Sequence, residues 1–192
     1  MPDYVVYQAA AGGAPNVMQA LLDAGLGLDH QVERIGSPLG IAILWGQLDL
    51  IRFLLAKGAD PNGPYAFPPI SFLNQAALLR STTIMQLLLD HGAAVQGSMA
   101  LQGAAEGGCI SAAGLLLESG ADVNEVFRYN LSDRNVDVIG TALHVAVRHD
   151  QEAMVGFLLR RGARQDLVDG DGATARALAA GKENLRILRL FQ

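Results

Sequence analysis

The chain has 192 residues, of which 51% are apolar, 17% charged and only 6% aromatic. That length can bury a sizeable core in one domain or one short array, and the core must be built mainly from Leu, Ala, Val and Ile. A formal charge of −5 argues against nucleic acid as a partner, since phosphate binding needs a basic face.

In chain order, one short string recurs: an apolar pair, two variable residues, then Gly and usually Ala. It appears at Leu21-Leu22-Asp23-Ala24-Gly25, Leu54-Leu55-Ala56-Lys57-Gly58-Ala59 and Leu88-Leu89-Asp90-His91-Gly92-Ala93. It returns at Leu116-Leu117-Glu118-Ser119-Gly120-Ala121 and Leu158-Leu159-Arg160-Arg161-Gly162-Ala163. The glycines stand 33, 34, 28 and 42 residues apart. A second string lies 21 residues before three of them: Ser37-Pro38-Leu39-Gly40, Ser71-Phe72-Leu73-Asn74 and Thr141-Ala142-Leu143-His144. A last copy opens at Thr174-Ala175-Arg176-Ala177.

Helical periodicity fills the space between the strings. Leu39, Ala42, Ile43 and Gly46 share one face of a 3.6-residue helix, and Leu50, Ile51, Leu54 and Leu55 share one face of the next. Gly58 supplies a left-handed stop. Neither helix can bury its apolar face alone, so each pair must stack on another. The 28-residue spacing predicts a truncated loop before the fourth copy. The 42-residue spacing predicts an extended loop over 125–140, carrying Phe127, Tyr129, Asp133, Arg134 and Asp137.

These strings resemble the ankyrin repeat, with its Thr-Pro-Leu-His opening, its Leu-Leu pair and its Gly-Ala-Asp-Val-Asn ending. Gly58-Ala59-Asp60-Pro61-Asn62 and Gly120-Ala121-Asp122-Val123-Asn124 carry that ending almost unchanged. The resemblance implies an all-α ankyrin-repeat solenoid of stacked helix-turn-helix units joined by short hairpin-like loops. It implies one domain over 1–192, with about six repeats near 4–36, 37–70, 71–98, 99–140, 141–173 and 174–192. Arg80 and Asp150 stand where the family has the glycine that ends the first helix, and His144 stands at its loop-bridging histidine.

In ankyrin arrays the first helices line a concave groove where partners bind. Opposite the expected buried face, the second copy presents Ile41, Leu44 and Trp45 and the third Gln75, Leu78 and Leu79; all but Gln75 form a contiguous apolar surface of the kind that marks an interaction site. The fourth presents Gly103, Glu106 and Gly107, a gap in the wall bordered by Glu106, Arg148 and His149. The expected function is therefore non-catalytic binding of a partner protein or peptide in the groove. Trp45 and Leu79 would be its anchors, and Arg148 or Glu106 would set its direction.

The alternative is a hydrophobic small-molecule site or an unusual enzyme at Gly103/Gly107, with His149 and Glu106 exchanging protons. No metal-ligand spacing or phosphate loop is present, so no metal or cofactor is expected. Cys109, the single cysteine, excludes an internal disulfide framework and reads as a buried, inert thiol suited to a reducing compartment. Without a signal-peptide pattern or a bilayer-length apolar run, the expectation is a cytoplasmic protein with no membrane partner, monomeric or weakly dimeric. Charge is uneven: residues 1–147 carry a net −7 and residues 148–192 a net +2.

Overall fold

The computed structural model describes residues 3–32, 35–63, 70–132 and 135–192, with the backbone alone described over 128–132 and 135–139. They gather into two compact units, Met1–Ala76 with Ser81–Ala94, and Ala77–Arg80 with Val95–Gln192.

In the first unit, α1 (Asp3–Ala11) pairs with α2 (Pro15–Asp23), and α3 (Pro38–Leu44) with α4 (Leu48–Ala56). α5 (Phe72–Leu78), whose last two residues belong to the second unit, precedes α6 (Thr82–Asp90). The start of α3 follows from its sequence: the Ser37 hydroxyl accepts the Gly40 N–H at 3.3 Å, and Pro38 supplies a φ suited to the first turn. α4 ends where expected, with Gly58 at φ +93°. Leu50, Ile51 and Leu54 of α4 are fully buried. Alpha-helices stack in two rows, α1 on α3 and α2 on α4, so each covers an apolar stripe that the other cannot bury alone.

The second unit begins with α7 (Ala100–Glu106) and α8 (Ile110–Glu118). After the insertion come α9 (Ala142–Arg148), α10 (Glu152–Arg160), α11 (Ala175–Gly181) and the short α12 (Leu185–Leu188), followed by a 3₁₀ turn at Arg189–Phe191. Here α7 packs on α9 and α9 on α11, while α8 packs on α10 and α10 on α12. Where other copies open with Ser or Thr, α7 opens with Met99 at φ +60°, and the Ser98 hydroxyl accepts the Ala100 N–H at 3.1 Å. The shortened spacing has thus removed the usual capping residue, and the preceding serine substitutes for it.

The segment 125–140 is more ordered than the extended loop expected there. β1 (Phe127–Ser132) and β2 (Asn135–Gly140) form an antiparallel hairpin that pairs Arg128 with Val138, Tyr129 with Asp137 and Asn130 with Val136. Aromatic residues on β1 and β-branched residues on β2 favour this over open loop. Its base is fastened at Glu125, whose carboxylate accepts the Gly97 N–H at 2.8 Å and whose carbonyl accepts the Gln102 amide at 3.2 Å. Residues 133 and 134, expected in that loop, lie outside the described residues, as do the side chains of Tyr129 and Asp137.

Side chains from the loop endings tie one repeat to the next within each unit. The Asn62 carboxamide accepts the Ala94 N–H at 2.7 Å and donates to the Gly92 carbonyl at 3.2 Å. Asn124, at the matching position of the second unit, accepts the Arg164 N–H at 2.7 Å. The asparagine that closes the recurring ending therefore satisfies backbone groups its neighbours would otherwise leave open.

Candidate functional site

The C-terminal ends of the first helices hold the exposed side chains. α3 is covered by α1 and α4, so every residue from Pro38 to Ile43 is buried and only Leu44 emerges. Ile41, expected on the exposed face, is fully buried. A seven-residue helix covered from two sides has no free side until its last turn. Leu44 is 37% exposed, Trp45 54% and Leu48, at the start of α4, 37%. The first unit also exposes Tyr4, Val5 and Val17 on its first two helices, but Leu44, Trp45 and Leu48 lie together at one helix–helix turn.

Gln75 also departs from expectation: it is buried, whereas Leu78 is half-buried and Leu79 is 41% exposed. Leu79 occupies in the second unit the turn position that Trp45 occupies in the first.

The gap expected over Gly103 and Gly107 is filled. Gly103 is buried, and a Cβ on Gly107 would lie 3.6 Å from Cγ of Arg80. Arg80 has φ +56°, the left-handed conformation of the glycine it replaces. That conformation swings its side chain across the next turn, toward Cys109.

Cys109 is buried, as expected, but it has a cation beside it. Burial pushes the thiol pKa up. Hydrogen bonds involving Ser111, the Ala112 backbone and Arg80, together with the Arg80 charge, outweigh burial and hold it below the ordinary value. The Sγ–Ser111 Oγ distance is 3.4 Å. Chain spacing concealed this, since Arg80 is far from Cys109 in sequence and arrives through repeat stacking.

Arg148 does not pair with Glu106. Its guanidinium donates to the carboxylate of Asp169 at 2.5 Å, and that side chain is fully buried. The other Asp169 oxygen accepts the N–H groups of Asp171 and Ala173 at 3.0 and 2.9 Å. Asp169 was absent from the expected site, although its Asp-Gly-Asp-Gly turn carried the signal. A carboxylate that folds such a turn with one oxygen has the other left for a cation. Arg148 is thus bound to its own fold.

Glu106 and His149 are both exposed. The Glu106 carbonyl accepts the Gln151 amide at 3.0 Å. His149 is the C-cap of α9, with Asp150 at φ +55° after it. Asp150 is held below its ordinary pKa first by hydrogen bonds from Lys182 and Asn184, and His149 adds a smaller electrostatic contribution.

His144 bridges loops. Its Nδ1 accepts the Thr141 N–H at 3.2 Å and lies 2.9 Å from the Thr141 hydroxyl. Nε2, which then carries the proton, donates to the Ala173 carbonyl at 3.2 Å. Gln102, at the matching position of α7, reaches the Glu125 carbonyl instead, and its buried amide oxygen has no partner among the described residues.

Among the described residues, open cavities lie elsewhere. One of about 340 Å³ lies among Leu117, Ala121, Asp122, Val123 and Arg161, and one of about 210 Å³ lies among Ala24 to Gly27 and His30. Among the described residues, no group of three or more His, Cys, Asp or Glu could hold a metal ion. No described helix is long and apolar enough to cross a membrane.

Comparison with known proteins follows the same repeats. Ankyrin-repeat family models match residues 35–63 and 140–170. The chain is 29% identical over 162 residues to human ankyrin repeat and SOCS box protein 11, covering 80% of this chain and 48% of that protein. It therefore spans about half the length of the curated relatives it matches first. The solved ankyrin repeat domain of that human protein superposes with a TM-score of 0.78 at 24% identity, over 96% of this chain and 80% of the other. An ankyrin repeat domain from Acinetobacter baumannii superposes at 0.80 with 25% identity, over 98% and 96%. The recurring Leu-Leu and Gly-Ala strings, the helix pairs they close and the loop-tying asparagines all belong to one architecture, and the chain is an ankyrin-repeat protein.

Proposed function

We propose that the chain is a non-catalytic protein-interaction module that takes a partner protein or peptide at the exposed ends of its first helices. In ankyrin arrays this is the side that lines the concave groove. The observation that carries the reading is Trp45, a large amphipathic side chain left 54% exposed beside Leu44 and Leu48. Aromatic side chains in this setting act as anchors, because they bury much area at little entropic cost. Leu79 in the second unit offers a smaller apolar contact of the same kind. Arg80 lying over Gly107, and the engagement of Arg148 with Asp169, weigh against a small-molecule or acid–base site there. A cytoplasmic setting suits the single reduced thiol.

Trp45 is the one tryptophan of the chain, so its emission reports directly on this surface. Wild type and a Trp45→Ala variant, immobilised separately, are exposed to native lysate and the retained proteins identified. A protein held by wild type and lost by the variant should, once purified, shift the emission of Trp45 to the blue as it covers the ring. If the proteins retained by the two are the same, or if the purified partner leaves the emission unchanged, the proposal fails.

A further inference from the structure

The C-terminal end of the second unit carries a second, chemically different surface. Three cations after residue 147 have carboxylate partners: Arg148 with Asp169, Arg164 with Asp166 and Lys182 with Asp150. Arg160, Arg186 and Arg189 are exposed and have no hydrogen bond or ion pair with any described residue.

These three arginines lie on elements that pack together, Arg160 on α10 and Arg186 and Arg189 on α12 and the 3₁₀ turn after it. α10 has a notch at Gly156, where a Cβ would lie 3.3 Å from an Arg160 guanidinium nitrogen and 4.0 Å from a methyl of Leu190. Arg160 and Leu190 therefore close on the same spot. Arg186 sits in α12, and Arg189, three residues on, opens the 3₁₀ turn that carries Leu190. Leu190 is 37% exposed, and Leu185 in the same turn is 66% exposed.

We propose that Arg160, Arg186 and Arg189 around Leu190 form a docking surface for an acidic segment of a partner protein, one with carboxylates flanking an apolar side chain. The guanidinium fork pairs with a carboxylate through two parallel hydrogen bonds, and Leu185 and Leu190 supply the apolar contact. Two acidic neighbours favour a peptide over an anionic bilayer. Exposed Glu152 opens α10, and exposed Glu183 precedes α12. A uniformly anionic lipid surface would press on both, whereas a peptide places its carboxylates only where the arginines are. Nucleic acid is disfavoured by the net charge of −5 and by how few cations the surface offers. The surface shares no residue with the one around Trp45 and does not depend on that reading.

The test uses the 192-residue chain and a fluorescent peptide of alternating Glu and Leu, with a Lys–Leu peptide as its counterpart, followed by anisotropy. Wild type should bind the Glu–Leu peptide at least about tenfold more tightly than the Lys–Leu peptide. Raising the salt from about 0.05 M to about 0.5 M should weaken that binding severalfold. The triple variant Arg160→Ala/Arg186→Ala/Arg189→Ala should lose about tenfold or more, while Arg52→Ala, an exposed arginine of the first unit, leaves binding in place. Reversing the three charges to Glu should transfer preference to the Lys–Leu peptide, and far-UV circular dichroism checks that each variant is folded. Equal binding of the two peptides, or an unchanged affinity in the folded triple variant, overturns the proposal. Tighter binding to phosphatidylserine vesicles or to a single-stranded oligonucleotide than to the Glu–Leu peptide overturns it as well.

Discussion

Gln47 covers Gly13. Its amide donates to the Ala11 carbonyl at 2.6 Å, and its side-chain oxygen stands where a Cβ of Gly13 would fall. The second unit repeats the arrangement: Gln151 donates to the Glu106 carbonyl at 3.0 Å and covers Gly108 in the same way. In these two repeats the glutamine that precedes the second helix thus reaches back to the turn of the previous repeat and caps its open carbonyl.

Gly108→Ala should therefore destabilise the chain twice over. Gly108 has φ +65°, a conformation that costs an alanine about 1–2 kcal/mol. The new methyl also displaces the Gln151 amide, at about 1 kcal/mol for the hydrogen bond. Denaturant melts should show a loss of about 2–3 kcal/mol for Gly108→Ala and about 1 kcal/mol for Gln151→Ala. The double variant should fall short of their sum, because both remove the same bond.

Where the turn glycine is replaced, the contact changes in kind. Arg80 projects toward Cys109, and Asp150 accepts the Asn184 amide at 2.9 Å. Arg80→Gly should relieve the left-handed strain and raise stability by up to about 1 kcal/mol, reduced by whatever the packing over Gly107 contributes. The same change removes a cation from Cys109, so the thiol pKa should rise. The pH–rate profile of thiol alkylation should move to higher pH in the variant, and an unmoved profile would show that Arg80 does not act on the thiol.

Arg148 and Asp169 should be far from equivalent under mutation. Arg148→Ala leaves a buried carboxylate held by two backbone N–H groups and should cost about 1–3 kcal/mol, since the arginine itself is partly exposed. Asp169→Ala removes the acceptor for Arg148 and for the N–H groups of Asp171 and Ala173, so it should cost more. Thermal denaturation of the two variants gives the order directly. Equal losses would mean the turn holds without its carboxylate.

His144 makes stability sensitive to acid. Burial, its largest influence, holds its pKa below the usual 6.5 despite the opposing charge of Asp169. The folded state therefore binds the proton less readily than the unfolded chain. Its contribution is complete above the unfolded value and falls as pH drops below about 6.5. His144→Gln, which can keep one loop contact without titrating, should flatten the stability profile between about pH 5 and pH 7. An unchanged slope would place the acid sensitivity elsewhere.

What the sequence alone determined is whatever repeats or depends on near neighbours. The Leu-Leu pairs mark the second helices because burial follows the helical period, and Gly58 marks a stop because φ +93° suits glycine. The exposure of Trp45 was legible in the same way, since it follows the last turn of a short helix. Only the tertiary structure decided which long side chains meet. Ile41 is buried because α3 is covered on two sides, a fact of stacking that period alone does not contain. Arg148 finds Asp169 rather than Glu106, and Arg80 crosses to Gly107 and Cys109, because a flexible side chain takes whichever neighbour the stack brings within reach. Strand pairing over 127–140 likewise depended on a partner strand. Its aromatic and β-branched residues permit a strand, but the hydrogen bonds that make one belong to both strands together.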